Sequence, residues 1–289
     1  VLYLYDLAKK QYRPLTADFE YNIANPTWSA DSKTIYFTTC REALTHIYSY
    51  QLANGKIKQI TDGQYDYTGF DLNDKGVCVV SRQAMTYPTE LFMVNLKNGK
   101  ATALTEEDKP IMSQLGNLTC EKRWMPTTDG GKMLTWVLYP PHFDKSKQYP
   151  SILYCQGGPQ STISQFWSYR WNPRLMAEQG YIVILPNRHG VPGFGKAWNE
   201  QISGDYSGQN IRDYLTAADL MRKEPFIDPH RMGAVGASYG GYSVYYLAGV
   251  HEGRFAAFIA HAGIFNLEAQ YLETEEKWFA NWDMGGAPW

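Results

Sequence analysis

The chain has 289 residues, 44% hydrophobic and 19% charged, with a formal net charge of −2. That length accommodates two domains. With a mean hydropathy of −0.43, no stretch approaches the ~20 apolar residues of a membrane span, and the charge balance gives no electrostatic case for nucleic acid or an anionic membrane.

Cys40, Cys78, Cys120 and Cys155 are scattered without a C-x-x-C pair, so neither a zinc site nor a disulfide framework is expected. No metal and no cofactor is expected. The residues from Val1 onward carry no basic-then-apolar targeting pattern, and the compartment stays open.

The first ~115 residues repeat. Leu7, Leu52 and Leu96 are spaced by 45 and 44 residues, as are Thr16, Thr61 and Thr105. WSADSKTIYFTT (28–39) is echoed by FDLNDKGVCVVS (70–81). The pattern is strand, polar turn, then a β-branched and aromatic strand, with no helical periodicity. A period of 40–45 residues made of short strands predicts propeller blades, and a β-sandwich with accidental similarity is the alternative. Barely two and a half repeats are present. Residues 1–115 are therefore expected to be the C-terminal blades of a β-propeller, with an incomplete first blade, in a piece of a longer protein.

From residue 116 the texture changes to a partial α/β-hydrolase domain, 116–289. KMLTWVLYP (132–140), SILYCQGG (151–158) and YIVILPN (181–187) read as strands, and PRLMAEQG (173–180) as a helix. Ile211, Tyr214, Leu215, Ala218 and Met221 mark one face of a second helix. RMGAVGAS, GYSVYYLAGV and FAAFIAHAG read as strand, helix and strand. The alternation predicts a parallel sheet with helices on both faces.

Three loops carry candidate chemistry. Gln156-Gly157-Gly158-Pro159 follows a strand and is an oxyanion-loop candidate, although G-G-P alone is only a turn signal. Gly190 to Lys196 satisfies G-x-x-x-x-G-K, but Ala197 offers no hydroxyl for Mg²⁺ and Pro192 removes an N–H donor, which argues against a phosphate cradle. Gly236-Ala237-Ser238-Tyr239-Gly240 is a G-x-S-x-G between a strand and a helix, the context of a nucleophile elbow. Ser238 is the nucleophile candidate, and the Tyr239 backbone N–H is the first oxyanion donor. Tyr239, Tyr242, Tyr271 and Trp278 are candidate walls of a substrate pocket, with core packing the competing reading for the last three.

The run Gly236 to Tyr242 resembles the G-x-S-Y-G-G-Y elbow of the prolyl oligopeptidase family. Trp278 to Gly286 is similar to its dipeptidyl peptidase and acylaminoacyl peptidase branch. The resemblance implies a propeller that caps the active site, and an oligopeptide substrate. Neither nucleic acid binding nor membrane insertion is expected, and a homo-oligomer is compatible. Two departures stand out. Gln156 occupies a position that is often Tyr or His in the family, where an amide N–H could replace the phenol. The loop that often reads Arg-Gly-x-x-Gly-Tyr-Gly is here His189 to Gly195, with Arg188 one place earlier.

In this fold the triad runs Ser, acid, His. Of the 51 residues after Ser238, two are histidines. His251 lies 13 residues on, carried roughly 20 Å away along a helix at 1.5 Å per residue. His261 ends the next strand without a credible acid before it, and reads as a packed histidine. His46, His142, His189 and His230 precede the elbow. The expectation is a serine peptidase, a dipeptidyl or oligopeptidyl exopeptidase, whose acid and base lie beyond Trp289, so that this chain alone is inert. An esterase on the same elbow and a non-catalytic propeller scaffold with a hydrolase remnant are the rival readings.

Overall fold

A computed structural model describes residues 1–289. Two compact units divide it. The first takes Val1–Leu115, Ser164–Arg170 and Gly193–Lys196, and the second takes Gly116–Ile163, Trp171–Pro192 and Ala197–Trp289.

The first unit opens with a hairpin of β1 (Tyr3–Asp6) and β2 (Gln11–Pro14). Two antiparallel meanders follow. One is β3 (Ala24–Trp28), β4 (Thr34–Arg41), β5 (Leu44–Gln51) and β6 (Ile57–Gln59); the other is β7 (Asp66–Leu72), β8 (Cys78–Ala84), β9 (Tyr87–Val94) and β10 (Ala101–Ala103). A single helical turn, α1 (Lys109–Met112), is the one helix here, and its proline at the start suits a first turn that needs no N–H. The turns are made by aspartate and asparagine side chains. The Asn73 side chain accepts from the N–H groups of Lys75 and Val77, both at 3.0 Å. Ile35, Phe37, Tyr48 and Tyr50 fill the core of the first meander, and Tyr67, Cys78, Val80 and Val94 that of the second. Each large apolar side chain so buried contributes about 1.5–3 kcal/mol.

The repeated threonines have a physical reason. Leu2 N–H donates to Thr16 Oγ1 at 2.8 Å, Ile47 N–H to Thr61 Oγ1 at 3.0 Å, and Leu91 N–H to Thr105 Oγ1 at 2.9 Å. In each case the residue before the threonine also donates to the same strand residue's carbonyl, at 2.8 Å. Each hydroxyl thus latches the short last strand of a hairpin to its partner, once the regular ladder has run out.

Two segments from the later sequence join this unit. Ser164 Oγ donates to the Asp66 carboxylate at 2.5 Å, Met85 N–H donates to Gln165 Oε1 at 3.3 Å, and Glu42 N–H donates to the Gly193 carbonyl at 2.8 Å. A division by chain position at 115/116 does not foresee them, because the texture on which it rests is local.

The second unit is built on a six-stranded sheet. Its elements are β11 (Thr119–Pro126), β12 (Lys132–Tyr139), β13 (Tyr149–Cys155), α2 (Pro173–Glu178), β14 (Ile182–Pro186), α3 (Lys196–Glu200), α4 (Gln209–Arg222), β15 (Ile227–Ala237), α5 (Tyr239–Val250), β16 (Ala257–His261), α6 (Leu267–Glu273) and α7 (Lys277–Met284). The strand order is β11-β12-β14-β13-β15-β16. The parallel sheet expected is present in β14, β13, β15 and β16, while β12 pairs antiparallel with both of its neighbours, β11 and β14. A tight turn at Thr127–Gly131 joins β11 to β12 as a hairpin, which forces that direction.

Helix α4 buries Ile211, Tyr214, Ala217, Ala218 and Met221 against the sheet, with Leu215 only partly covered. Val244 and Leu247 of α5 join the same core. Helix α2 lies on the opposite face, against β14 and β12. Beside it an apolar groove of ≈ 480 Å³ is lined by Ile152, Met176, Tyr181, Met232 and Ile259.

Candidate active site

Strand β15 ends at Ala237 and α5 begins at Tyr239, leaving Ser238 alone at the corner with φ 60° and ψ −125°. A non-glycine residue at positive φ costs on the order of 1–3 kcal/mol and persists only where its surroundings over-determine it. Here the Ser238 N–H donates to the His261 carbonyl and the Ser238 carbonyl accepts from Tyr242 N–H, both at 3.0 Å. The flanking glycines are obligatory. A Cβ on Gly236 would lie 2.4 Å from the Gly240 carbonyl oxygen, and one on Gly240 only 2.1 Å from that of Cys155. This backbone crowding turns the chain so sharply that Ser238 is exposed while the next residue is wholly buried.

The G-G-P loop lies against this corner. A Cβ built on Gly157 would sit 3.5 Å from Ser238 Cβ and 2.9 Å from the Ala237 carbonyl oxygen. At its start, Gln156 N–H donates to Tyr214 Oη at 3.1 Å, and the Gln156 amide donates to Ser161 Oγ at 3.1 Å. One amide hydrogen of Gln156 is therefore committed inside the loop, and the second is its remaining donor. The Tyr239 N–H, in the first turn of α5, lies outside the helix's own ladder.

The Tyr239 ring is placed differently from the expectation. It is fully buried, packs edge-on to Tyr206 at 5.0 Å, and donates its hydroxyl to the Tyr206 carbonyl at 2.7 Å. The Asn210 amide donates to the same hydroxyl. A ring so enclosed is no pocket wall; the expectation rested on adjacency to Ser238 in sequence, and the corner sends the ring inward. Tyr242 is half-buried and stacks on Tyr239 at 5.5 Å. Tyr271 lines a pocket of ≈ 190 Å³ with Tyr206, Leu267, Phe279, Met284 and Pro288. Trp278 is 69% exposed, and its ring meets Phe279.

Side chains to which the sequence assigned no role pack around this corner. Arg188 is fully buried beneath the loop, with its guanidinium 4.8 Å from the centre of the Tyr239 ring. The Asp283 carboxylate, also buried, accepts from Gln160 at 3.0 Å, Ser203 at 3.0 Å and Tyr206 Oη at 2.5 Å. Burial pushes the phenols of Tyr206, Tyr214 and Tyr239 above the ordinary tyrosine range, so all three are neutral near pH 7.

None of the six histidines is hydrogen-bonded to Ser238 Oγ. His189 is buried between two carboxylates, Asp213 at 2.6 Å and Asp129 at 3.3 Å, and stacks on Trp198 at 3.5 Å. His46 is buried against Thr61. His251 accepts from Phe255 N–H at 3.4 Å. The His261 ring packs edge-on to Trp171 at 5.6 Å, while its carbonyl holds Ser238. His142 and His230 are exposed.

A serine raised on a strained strand-to-helix corner of a parallel sheet, with a second loop closing on it, is the nucleophile geometry of an α/β-hydrolase. Residues 167–289 match the prolyl oligopeptidase family model, and the chain carries a prolyl oligopeptidase family domain. It is 72% identical over 256 residues to dipeptidyl-peptidase 5 of Porphyromonas endodontalis, covering 89% of this chain and 37% of that protein. To dipeptidyl-peptidase 5 of Porphyromonas gingivalis it is 62% identical over 288 residues, covering 100% of this chain and 42% of that one. The chain thus spans about two fifths of the length of these curated relatives. Its fold is similar to that of Pyrococcus horikoshii acylaminoacyl peptidase, with a TM-score of 0.85 at 22% identity over 98% of this chain and 44% of that one.

Proposed function

We propose that the chain is the nucleophile-bearing part of a serine peptidase that removes dipeptides from the free amino terminus of short peptides. The observation that carries the reading is the Ser238 corner itself, exposed and strained with the Gly157 loop against it. Ser238 Oγ attacks the scissile carbonyl carbon, and its proton passes to a histidine. The oxyanion meets the Tyr239 N–H and the Gln156 amide. Collapse breaks the C–N bond and expels the amine with that proton, and water then hydrolyses the Ser238 ester.

The acid and the histidine come from parts of the full protein outside these 289 residues, since no imidazole here reaches Ser238. The 289-residue chain alone is accordingly inert, slower by several orders of magnitude. The pocket at Tyr271 shares Tyr206 with the cluster beneath Ser238, and it receives an apolar side chain of the substrate. Tyr242 and Trp278 stand as outer contacts. The latched meanders of the first unit are propeller blades, a reading supported by three copies of one device at a 44–45-residue spacing. The names of the relatives support dipeptide release, and the fold likeness supports the family architecture.

The test uses the full-length protein with unblocked and N-acylated dipeptidyl 4-nitroanilides, together with a fluorophosphonate probe. Hydrolysis of the unblocked anilide and probe labelling, both lost in Ser238→Ala, are expected. Cleavage of esters but not anilides would point to an esterase. No labelling of the folded full-length protein would favour a scaffold, a reading that the missing imidazole contact also permits.

A further inference from the structure

Arg188 is a charge without a counter-charge. It is 0% exposed, and none of its partners is a carboxylate. Its Nε donates to Tyr214 Oη at 3.3 Å and Nη1 to the His189 carbonyl at 2.9 Å. Nη2 donates to the carbonyls of Gln156 at 3.4 Å and Pro159 at 2.9 Å. The titratable groups facing it are Tyr214, Tyr239 and the Cys155 thiol, each pushed by burial above its ordinary range and therefore neutral. Asp213, one residue before Tyr214 on α4, is engaged by His189.

Burying an uncompensated ion costs several kcal/mol. A neutral hydrogen-bonding side chain would hold one loop carbonyl at lower cost, and a lysine would carry the charge without the fork, so the position asks for both. The fork grips both ends of the Gln156–Pro159 loop, in which Gly157 packs so closely on the corner that an added Cβ would lie 3.5 Å from Ser238 Cβ. The charge sits against the ring of Tyr239, the residue whose backbone N–H faces the developing oxyanion. In a dry interior such a field reaches the reacting atoms with little screening.

We propose that Arg188 is a positioning residue for acyl transfer, which clamps the oxyanion loop by its planar fork and biases the Ser238 corner toward negative charge by its unpaired guanidinium. The proposal rests on Ser238 being the nucleophile, and it concerns a side chain that touches neither substrate nor Ser238.

The test is kinetic, on the full-length protein with an unblocked dipeptidyl 4-nitroanilide. Arg188→Met removes fork and charge, and kcat should fall by about 10²–10³ with KM within about threefold. The acid limb of the kcat/KM profile should move up by about one pH unit, because a cation no longer opposes protonation of the base. Arg188→Lys keeps the charge without the fork: the acid limb should return to its original pH, while kcat stays about tenfold low.

A purely structural role would lower activity without moving the acid limb, and that result overturns the electrostatic half. Unchanged kcat in Arg188→Met, or a loss confined to KM, overturns the whole proposal. Should Arg188→Met fail to fold, Arg188→Lys decides: a tenfold loss in kcat at unchanged KM supports the clamp, and full kcat rejects it. The hydrolase reading fails separately, when the unsubstituted protein neither turns over the anilide nor takes up a fluorophosphonate at Ser238.

Discussion

At the Ser238 corner the backbone is held by close approach: two glycines pass carbonyl oxygens with no room for a methyl group, and Ser238, midway between them, sits at positive φ. In the first unit the same task, fixing where one strand meets the next, falls to threonine hydroxyls accepting strand N–H groups. The corner stores strain and exposes its side chain; the latches satisfy donors and store none. The candidate site sits on the strained solution, repetition on the relaxed one, in line with the concentration of backbone strain at reactive sites.

The sharpest way to break this comparison is Gly240→Ala. The new methyl meets the Cys155 carbonyl at 2.1 Å, and backbone must move. A loss of about 3 kcal/mol in urea-induced unfolding is expected, together with loss of Ser238 labelling in the full-length protein. An alanine tolerated within 0.5 kcal/mol would show that the corner is not crowded.

A pH dependence sharpens the first unit's side. Burial lowers the His46 pKa to about 4, so the unfolded chain binds more protons between there and 6.5, and stability rises with pH through that window. Burial raises the Asp66 pKa to about 6 against hydrogen bonds from Ser164, Thr45 and Gln165, so the folded chain binds more protons between 3.8 and 6. Stability falls with pH there. Each effect is on the order of 3 kcal/mol across its window, and the two oppose. The parent protein should show a shallow slope between pH 4 and about 6.5, Asp66→Asn a rising one and His46→Gln a falling one, measured by chemical denaturation. Parallel slopes in all three would reject the assignment.

Thr61→Val leaves the Ile47 N–H buried without its acceptor and should cost about 1–2 kcal/mol. Thr16→Val, at a latch only partly buried, should cost less than about 1 kcal/mol. Equal costs would mean that burial does not set the strength of a latch. Opposite in sign, Ser238→Gly relieves the positive φ and should stabilise the protein by about 1 kcal/mol while abolishing labelling.

Much of this was legible in one dimension. The elbow is a local motif with local reasons, and the face of α4 follows from spacing alone, apart from Ala217 taking the place expected for Leu215. The threonine spacing was visible, but its cause was not, since the donor lies 14 residues back on another strand. The roles of Arg188, Asp283 and the His189–Asp213 pair were not legible, because the partners that define them (Gln156 and Pro159, Gln160, and Asp213) lie from 24 to 123 residues away. The inward turn of the Tyr239 ring was hidden for another reason: a corner at Ser238 reverses which neighbour faces water, and no periodic rule spans it.

The latches also set where this chain can change length. Each spans 14 residues, from Leu2 to Thr16, Ile47 to Thr61 and Leu91 to Thr105, while the stretches between them are 31 and 30 residues. The one residue by which the two repeats differ therefore falls outside every latch. An insertion in the turn between β3 and β4, or between β7 and β8, lengthens a surface turn and leaves the hydroxyl opposite its N–H. The same insertion inside a latch slides the last strand by one place and turns its side chains to the other face.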